Sequence, residues 1–409
     1  MQTRLADWIK DTPQGIEADS ILRKCVHCGF CLATCPTYTL LGDELDSPRG
    51  RIYLMKEMLE GSPVTERTQL HLDRCLTCRA CETTCPSGVE YGKLVDIGRE
   101  LVEQKVPRKA GDRFKRWVLA RTLPHRSLFG MALGLGRAFK PLLPASIGRK
   151  IPRLHEAGAM PAAKHARRML VLAGCVQPSM APSINTASAR VLDRIGITLV
   201  EAPGAGCCGA VAHHLNYQHD ALAFVKANID AWWPEVEKGA EAIVITASGC
   251  GTMVTDYGHL LRDDAAYAAK AAKISSLAKD ISEVVAAERT AITALVKDKA
   301  AGKVAFHSPC SLQHGLRIRG VVETILSDAG FTLTQVHDAH LCCGSAGTYS
   351  ILQPELSKQL LRNKVRALEE GKPERIATAN IGCLAHIQSG AHVPVRHWIE
   401  LLDERMGAG

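Results

Sequence analysis

All sixteen cysteines of this 409-residue chain fall into two tandem patterns, and none is left over. The first pattern is Cys-x2-Cys-x2-Cys-x3-Cys-Pro, and its two copies begin at Cys25 and Cys75. The second pattern is a single cysteine, a Cys-Cys-Gly triplet and another single cysteine, and its two copies begin at Cys175 and Cys310. Because metal clusters need thiolates at fixed intervals, we interpret the chain as a carrier of iron–sulfur clusters.

The first pattern predicts two [4Fe–4S] clusters that exchange one ligand. Three cysteines spaced three residues apart let a loop wrap one cubane, and the fourth cysteine then ligates the other cluster, as in two-cluster ferredoxins. The predicted ligands of the first cluster are Cys25, Cys28, Cys31 and Cys85. The predicted ligands of the second cluster are Cys35, Cys75, Cys78 and Cys81. Zinc is disfavoured, because its sites usually use two separated pairs of ligands. Three cationic side chains beside the motifs are candidates for raising the cluster potentials: His27, Arg74 and Arg79.

The spacing of the second pattern predicts an internal duplication. Three of its four cysteines recur at an offset of 135 residues and the last at 133. Short apolar runs alternate with amphipathic stretches in each copy, which predicts βαβ units and a parallel sheet. The cysteines follow predicted strands, so we expect them to gather at the carboxyl edges of the sheets. The predicted fold is therefore α+β / α/β, a mainly helical ferredoxin-type domain followed by a duplicated βαβ cysteine-rich domain.

Four segments follow from these patterns. They are an N-terminal region with both cluster motifs (1–100), a basic connector (101–168), a first cysteine-rich module (169–300) and a second cysteine-rich module (301–409). Within the N-terminal region, the spacing predicts a helix over 49–61 between the two motifs.

The connector concentrates the positive charge of the chain. Residues 105–168 hold sixteen Lys or Arg and two acidic residues, while the whole chain carries a net charge of +8. This basic stretch predicts contact with an anionic partner, either a membrane face or an acidic subunit. The apolar piece 127–144 with its basic flanks fits a helix on a membrane surface, and a linker helix packed on its own domain is the alternative.

Cysteine usage also bounds the compartment. The first residues show no apolar signal segment, and no apolar run reaches the ~18 residues that a membrane span needs. Thiols in a reducing compartment serve metals or catalysis rather than disulfides, so the expected location is the cytoplasm. The basic connector adds the expectation of a peripheral location on the cytoplasmic face of the inner membrane.

The Cys-Cys-Gly pattern leaves three interpretations open: an additional cluster or metal, a thiol/disulfide site, or a structural pocket. Its glycine allows a close approach of the backbone. The cysteines concerned are Cys175, Cys207, Cys208 and Cys250 in the first module and Cys310, Cys342, Cys343 and Cys383 in the second module.

These motifs carry a family resemblance. Residues 169–400 are similar to the cysteine-rich (CCG) domains of heterodisulfide reductase, and the whole chain resembles iron–sulfur subunits of glycolate oxidase. The stretches that carry it include CVHCGFCLATCPTY, HLDRCLTCRACETTCPSGV, HLCCGSAGTY and TANIGC. The resemblance implies partner subunits that bind FAD and oxidise glycolate to glyoxylate, and a relay of electrons by this chain towards a quinone. D-lactate stays open as an additional substrate.

The chain departs from the heterodisulfide reductase pattern at one position in each module. Met253 and His386 stand where that family has a fifth cysteine, which leaves His386 as a candidate substitute ligand. Three other histidines near the second module's cysteines are interpreted as structural residues rather than ligands: His307, His314 and His340.

The sequence lacks the motifs of a substrate-oxidising enzyme, which predicts that the substrate is oxidised on another chain. No G-x-G-x-x-G follows a predicted strand, so neither FAD nor NAD is expected here, and no nucleic-acid partner is expected. No local constellation marks a general base, so no catalytic residue is predicted. The alternatives are an iron–sulfur subunit for lactate or glycerol 3-phosphate oxidation, or a thiol/disulfide reductase acting at the Cys-Cys-Gly sites.

Overall fold

The N-terminal region is helical, as predicted. The computed structural model describes residues 1–140, 156–296 and 300–407. Helices of this region are α1 (Pro13–Lys24), α2 (Pro36–Leu41), α3 (Pro48–Leu59), α4 (Glu66–Asp73), α5 (Ala80–Thr84) and α6 (Tyr91–Lys105), with a 3₁₀ turn at Glu44–Asp46. Their buried faces form one apolar core around Leu22, Met55 and Leu94.

Helix α3 shows why the chain between the two motifs is helical. Ser47 caps it, accepting a hydrogen bond from the Gly50 amide at 2.9 Å, and Pro48 occupies the first turn. Ile52 and Met55 then point into the core. The predicted helix is confirmed, with bounds shifted by a residue or two.

Each cysteine-rich module is built on a four-stranded parallel sheet. The first sheet has the order β2-β1-β3-β4 and the second the order β6-β5-β7-β8. The strands are β1 (Arg167–Leu172), β2 (Ile197–Glu201), β3 (Ile243–Ile245), β4 (Ala278–Asp280), β5 (Lys303–His307), β6 (Thr332–Leu333), β7 (Arg375–Thr378) and β8 (Val395–His397). The predicted parallel sheets are confirmed, whereas β4 and β8 were not predicted because three-residue strands carry little periodicity.

Helices cover both sheets and connect their strands. Those of the first module are α9 (Gln177–Met180), α10 (Ser183–Asp193), α11 (Ala210–His214), α12 (Gln218–Glu237), α13 (Ser248–Thr255), α14 (Tyr257–Leu260), α15 (Ala268–Leu277), α16 (Ile281–Ala287) and α17 (Arg289–Leu295). Those of the second module are α18 (Val321–Asp328), α19 (Tyr349–Leu352), α20 (Pro354–Glu369), α21 (Ile381–Gln388) and α22 (Trp398–Arg405), with a π turn at Ser311–Gly315.

The two modules share one apolar core. Alternate residues of the central strands, among them Met169 and Val171 in β1 and Val304 and Phe306 in β5, belong to the same buried cluster. The intervening residues of β1 face the first module's own outer helices. This period of two is what a sheet buried on both faces requires.

The connector is bound to the rest of the chain by its charges. Helix α7 (Ala110–Thr122) carries Arg116, which is buried and contacts Asp73 and Asp112. Burial alone would raise the pKa of Asp73, but Arg108 and Arg116 hold it below its ordinary value. Further connector cations pair with acidic residues of the first module: Arg121 with Asp220, Arg126 with Glu201, Lys164 with Asp193, Arg167 with Glu241 and Arg168 with Glu235. Part of the predicted anionic partner is therefore the chain itself.

Helix α8 (Arg126–Ala138) is unlike the other long helices because it buries none of its residues. Residues 127–138 of the predicted apolar piece 127–144 lie on this helix, residues 139 and 140 follow its end, and the remainder falls outside the described residues. None of the helices in the described ranges is both long and apolar enough to cross a bilayer.

Candidate iron–sulfur and thiol sites

The two loops that follow the first cysteine of each motif have the same unusual backbone. His27 and Gly29 in one loop and Thr77 and Arg79 in the other have positive φ angles of 55°, 85°, 52° and 59°. Three of these four residues are not glycine, so the left-handed conformation costs free energy of order 1–3 kcal/mol at each. Left-handed residues at equivalent positions give the two loops the same tight turns, which suit loops that wrap a bound cubane.

The four cysteines predicted for the first cluster line one pocket, together with Cys81. Cys25 is buried and Cys28 is exposed, so this pocket reaches the surface at one corner. Burial, followed by repulsion from Cys25, raises the pKa of Cys31 to about 11. A cation would stabilise the thiolates that this pocket otherwise disfavours. The donor set fits an iron–sulfur cluster.

The four cysteines predicted for the second cluster lie deeper. Burial raises the pKa of Cys81 well above its ordinary value, and the charges of Cys78, Cys75 and Cys35 raise it further. Cys35, Cys75 and Cys81 are buried, and Cys78 is partly buried. The thiols thus converge within electrostatic range of one another, as ligands of one cluster must.

A buried arginine lies beside this second set, and the sequence analysis did not single it out. The Arg51 side chain is 1% exposed and donates to the His71 carbonyl at 2.7 Å and to Asp46 Oδ1 at 3.2 Å. Its Nη1 lies 3.9 Å from Cys35 Sγ. Burial opposes the charge, but the neighbouring Cys75, Tyr91 and Cys35 raise the pKa of Arg51 above its ordinary value. The sequence signal that could have identified Arg51 is a cation on the apolar face of the helix predicted over 49–61.

The three predicted cationic side chains have more peripheral roles. Arg74 donates to Asp46 at 2.8 Å, and Arg79 donates to Asp256 of the first module at 3.0 Å. Burial, followed by repulsion from nearby cations, lowers the pKa of His27. Arg79 therefore joins two segments of the chain, while His27 is disfavoured as a cation.

The second module packs directly on the second cluster's loop. Leu76 and Cys342 belong to one buried apolar cluster, with Cys78 and Cys310 packed against it. Burial raises the pKa of Cys78 well above its ordinary value, and the negative charge of Cys310 raises it further. The Tyr349 hydroxyl donates to the Arg74 carbonyl at 3.1 Å. The thiols of the two regions thus approach each other across a buried contact.

The Cys-Cys-Gly turns have the same geometry in both modules. Gly209 and Gly344 have φ angles of 92° and 90°, and their amides lie 3.4 and 3.5 Å from the Sγ atoms of Cys207 and Cys342. A Cβ on Gly344 would lie 2.7 Å from the Ser357 carbonyl oxygen, so close approach requires glycine there.

In the first module, polar side chains fix the turn from behind. Asn228 donates to the Cys207 carbonyl at 2.8 Å, and the Tyr257 hydroxyl donates to the Cys208 carbonyl at 2.9 Å. Hydrogen bonding to Cys175 and Cys208 raises the pKa of Cys207, and Cys208 also reaches Cys250. The four thiols therefore form a continuous chain of contacts. Met253 is buried among apolar side chains and offers no thiol.

In the second module the thiols form two close pairs. The Sγ–Sγ distance is 3.8 Å between Cys310 and Cys342 and 3.5 Å between Cys343 and Cys383. His386, the candidate substitute ligand, has its Nε2 3.2 Å from Ser357 Oγ.

The three histidines interpreted as structural differ in their surroundings. His314 fits that interpretation, since its ring contacts Thr83 Oγ1 at 2.8 Å and the His340 carbonyl at 3.0 Å. His340 takes part through that carbonyl. His307 is 1% exposed, and neither of its ring nitrogens has a hydrogen-bond partner among the described residues.

Comparisons with known proteins agree with this architecture. Two segments, 169–255 and 304–388, match the family described as the cysteine-rich domain (CCG), and residues 21–89 match the 4Fe-4S dicluster domain. The chain is 54% identical over 407 residues to the glycolate oxidase iron-sulfur subunit of Escherichia coli (strain K12), which covers 99% of each chain.

Two more distant relatives come from Bacillus subtilis (strain 168). The probable glycolate oxidase iron-sulfur subunit is 31% identical over 431 aligned positions and 94% of each chain. Lactate utilization protein A is 28% identical over 241 positions, which cover 56% of this chain and 97% of the relative.

Proposed function

Because the chain belongs to the family of glycolate oxidase iron–sulfur subunits, we propose that it relays electrons from an FAD-bearing partner, which oxidises glycolate to glyoxylate, towards a membrane quinone. A flavin releases two electrons, and one-electron clusters are suited to passing them on singly. The residues of this chain position the clusters, and the clusters supply the redox chemistry when bound.

The observation that carries the proposal is the continuity of thiols through the chain. Cys28 is exposed, Cys81 lines the first cluster's pocket and belongs to the second set, and Cys78 and Cys310 pack against the same buried apolar cluster. In this proposal Cys25, Cys28, Cys31 and Cys85 hold the first [4Fe–4S] cluster. The second is held by Cys35, Cys75, Cys78 and Cys81. The four segments 1–100, 101–168, 169–300 and 301–409 are proposed as the structural units.

Electrons enter, in this proposal, at the exposed corner of the first cluster. Val26 and Phe30 flank Cys28, and their surfaces are 66% and 61% exposed. Apolar side chains at this exposure fit an interface that a flavin-bearing partner covers, since its cofactor would then lie close to the cluster. The second cluster and the second module lie further inside the chain.

We assign membrane attachment to helix α8. Leu128, Met131, Leu135 and Phe139 are 44–61% exposed and follow one another at helical spacing along one side. Phe114 and Trp117, whose rings stack at 6.1 Å, are exposed on the preceding helix α7. An apolar stripe beside exposed basic residues fits the surface of an anionic bilayer. With this attachment, the proposed location of the protein is peripheral, on the cytoplasmic face of the inner membrane.

Turnover of the assembled complex tests the relay. Glycolate should reduce a soluble quinone analogue when this chain is combined with its flavin-bearing partners, and this chain alone should show cluster absorbance without glycolate-dependent reduction. In Cys78→Ser, glycolate should still reduce the flavin, which is the internal control, but quinone reduction should fall at least about tenfold. Full quinone reduction by the variant, or by this chain alone, would exclude the proposed route. D-lactate as the donor distinguishes the lactate alternative.

Vesicle binding tests the membrane contact. Met131→Glu with Leu135→Glu should weaken binding to anionic phospholipid vesicles at least about tenfold, because each buried apolar side chain contributes on the order of 1.5 kcal/mol. Ile16→Glu is the matched control, since Ile16 is 61% exposed in the N-terminal region. Equal binding by both variants would remove α8 from the proposal.

A second candidate function is thiol/disulfide reduction at the second module. The close Sγ pairs Cys310–Cys342 and Cys343–Cys383 favour it. It predicts that Cys342→Ser abolishes reduction of a disulfide substrate while the EPR signals of both clusters survive. No disulfide turnover by the complete complex would reject this candidate.

A further inference from the structure

The imidazole of His307 is the buried polar group that the relay leaves unexplained. It lies at the end of β5, three residues before Cys310, and is 1% exposed. Both ring nitrogens are without a hydrogen-bond partner among the described residues. A buried polar group left unpaired costs about 1–3 kcal/mol, so the structure has to compensate for it in another way.

The nearest chemistry is a pair of thiols. One ring nitrogen of His307 and the Sγ atoms of Cys343 and Cys383 all lie within 4.8 Å of one another. Three such groups of potential ligands occur in the described part of the chain, and this is the one that contains cysteine. Two thiolates on one tetrahedral zinc, each about 2.3 Å from the metal, are about 3.8 Å apart. The Cys343–Cys383 distance of 3.5 Å is close to that value.

The duplicated module provides an internal comparison. His307 pairs with Thr378 in its sheet, and Leu172 pairs with Ile245 in the other sheet. Leu172 precedes Cys175 by three residues, as His307 precedes Cys310, so the two residues occupy equivalent positions. The first module thus places an apolar side chain where the second has an imidazole, although both keep four thiols.

A buried cation accompanies the imidazole. Lys364 on α20 is 3% exposed and its Nζ donates to the Asp338 carbonyl at 2.7 Å. Burial lowers the pKa of Lys364, and attraction to Cys343 and Cys342 opposes that shift. When protonated, Lys364 would offset part of the negative charge that bound thiolates bring. The corresponding helix of the first module, α12, buries Ala221, Val225, Asn228, Ile229 and Trp232.

We propose that His307, Cys343 and Cys383 bind one tetrahedral divalent metal ion, Zn²⁺ or Fe²⁺, with the imidazole as a ligand, and that the first module lacks this mixed site. Thiolate and imidazole are the ligands that such ions share. Binding releases the two thiol protons and leaves the imidazole neutral. Cys342, whose thiol interacts with that of Cys343, is a candidate donor for the fourth position. This inference does not rest on the proposed electron relay.

Metal analysis of the full chain, purified without oxygen, tests the site. Wild type should hold one zinc or iron that His307→Leu lacks, while the EPR signals of the two N-terminal clusters remain. Leucine fits this position in the first module, so the variant should fold. His307→Cys should retain the metal but lose nitrogen from its coordination shell, measured by X-ray absorption for zinc or Mössbauer spectroscopy for iron.

A buried, partnered histidine of the same module provides the control. His314→Leu removes an imidazole that is 4% exposed and should leave the metal content unchanged. Acid-labile sulfide distinguishes the two sources of the ion: a loss of metal alone supports an isolated ion, and a matching loss of sulfide identifies an iron within a cluster and would overturn the single-ion site. The inference is overturned if His307→Leu keeps the wild-type metal content.

Addition of Co²⁺ to metal-depleted protein gives a second readout. Tetrahedral thiolate–imidazole ligation should produce sulfur-to-cobalt charge-transfer bands in wild type and in His314→Leu. His307→Leu should show these bands at reduced intensity or shifted in energy. Identical cobalt spectra in His307→Leu and wild type would also overturn the inference, whichever native metal is present.

Discussion

The buried cation Arg51 should set the potential of the proposed second cluster. Its guanidinium lies 3.9 Å from Cys35 Sγ and is 1% exposed, so water screens it little. A positive charge favours the reduced, more negative cluster. Replacing Arg51 with methionine keeps most of the side-chain volume and removes the charge.

The size of the shift follows from Coulomb's law. We place the guanidinium about 8 Å from the centre of the cluster, and at an effective dielectric constant of about 20 a unit charge at that distance contributes about 2 kcal/mol. For one electron this corresponds to about 90 mV. Arg51→Met should therefore lower the midpoint potential of the second cluster by roughly 90 mV.

The same change should cost stability, because Asp46 loses one of its partners. Asp46 is 0% exposed and keeps Arg74 at 2.8 Å and His71 at 3.0 Å. Breaking a buried ion pair typically costs 3–5 kcal/mol, and we expect about 3 kcal/mol here since two partners remain.

An EPR-monitored redox titration of the purified chain measures the potential. Arg51→Lys keeps the positive charge, so its second-cluster potential should stay close to that of wild type. Arg49→Met is the matched control: Arg49 lies beside Gly29 of the first cluster's loop, is 32% exposed and already pairs with Glu44 at 2.8 Å. Solvent and Glu44 screen that charge, so the first cluster's potential should change by less than about 30 mV. A folded Arg51→Met protein whose second-cluster potential is unchanged or raised would refute the reasoning.

Two further predictions concern the cysteine-rich modules. Gly344→Ala should lower the free energy of unfolding by about 1–3 kcal/mol, because its Cβ would meet the Ser357 carbonyl in a left-handed turn. Gly347→Ala, which has φ 61° and no atom near the added Cβ, should cost less in the same urea denaturation experiment, and equal costs would contradict the steric account. Burial alone would lower the pKa of His213, but its contact with Asp96 raises it above 6.5. The contact of protonated His213 with Asp96 therefore stabilises the fold fully below pH 6.5, and this stabilisation is lost as the pH rises through the raised pKa. Asp96→Asn should therefore flatten the decline in stability between about pH 6 and 9, and an unchanged slope would exclude this contact as its source.

Patterns with a fixed local period could be predicted from the sequence. The coiled loops at Cys25 and Cys75 and the βαβ order of the modules follow from spacing and from apolar alternation. Strand β4 lies beside β3 in the sheet, but its three residues are too few to show a period. Local patterns therefore predicted the cluster loops and the central strands of the sheets, and missed the short edge strands β4 and β8.

Features that depend on the packing of distant segments could not be predicted. Arg51 lies beside Cys35 because α3 packs against the loop of the first motif, sixteen residues earlier in the chain. The lack of partners around His307 depends on which side chains surround the end of β5. The packing of Cys78 and Cys310 against one buried cluster depends on how two distant segments of the chain come together. Sequence spacing carries no information on any of these.

The duplication produced two modules that are alike in their backbone and different in their chemistry. In the first module, Asn228 and Tyr257 hold the carbonyl groups of the Cys-Cys turn, and Leu172 closes the end of the strand. The second module has His307 at that strand end and packs on the second cluster's loop through Tyr349. Since a buried unpaired imidazole destabilises a fold unless it binds something, its presence in one module only is best explained by a ligand there. We therefore expect the second module to carry the metal chemistry of the duplicated half, and the first module to serve as its packing partner.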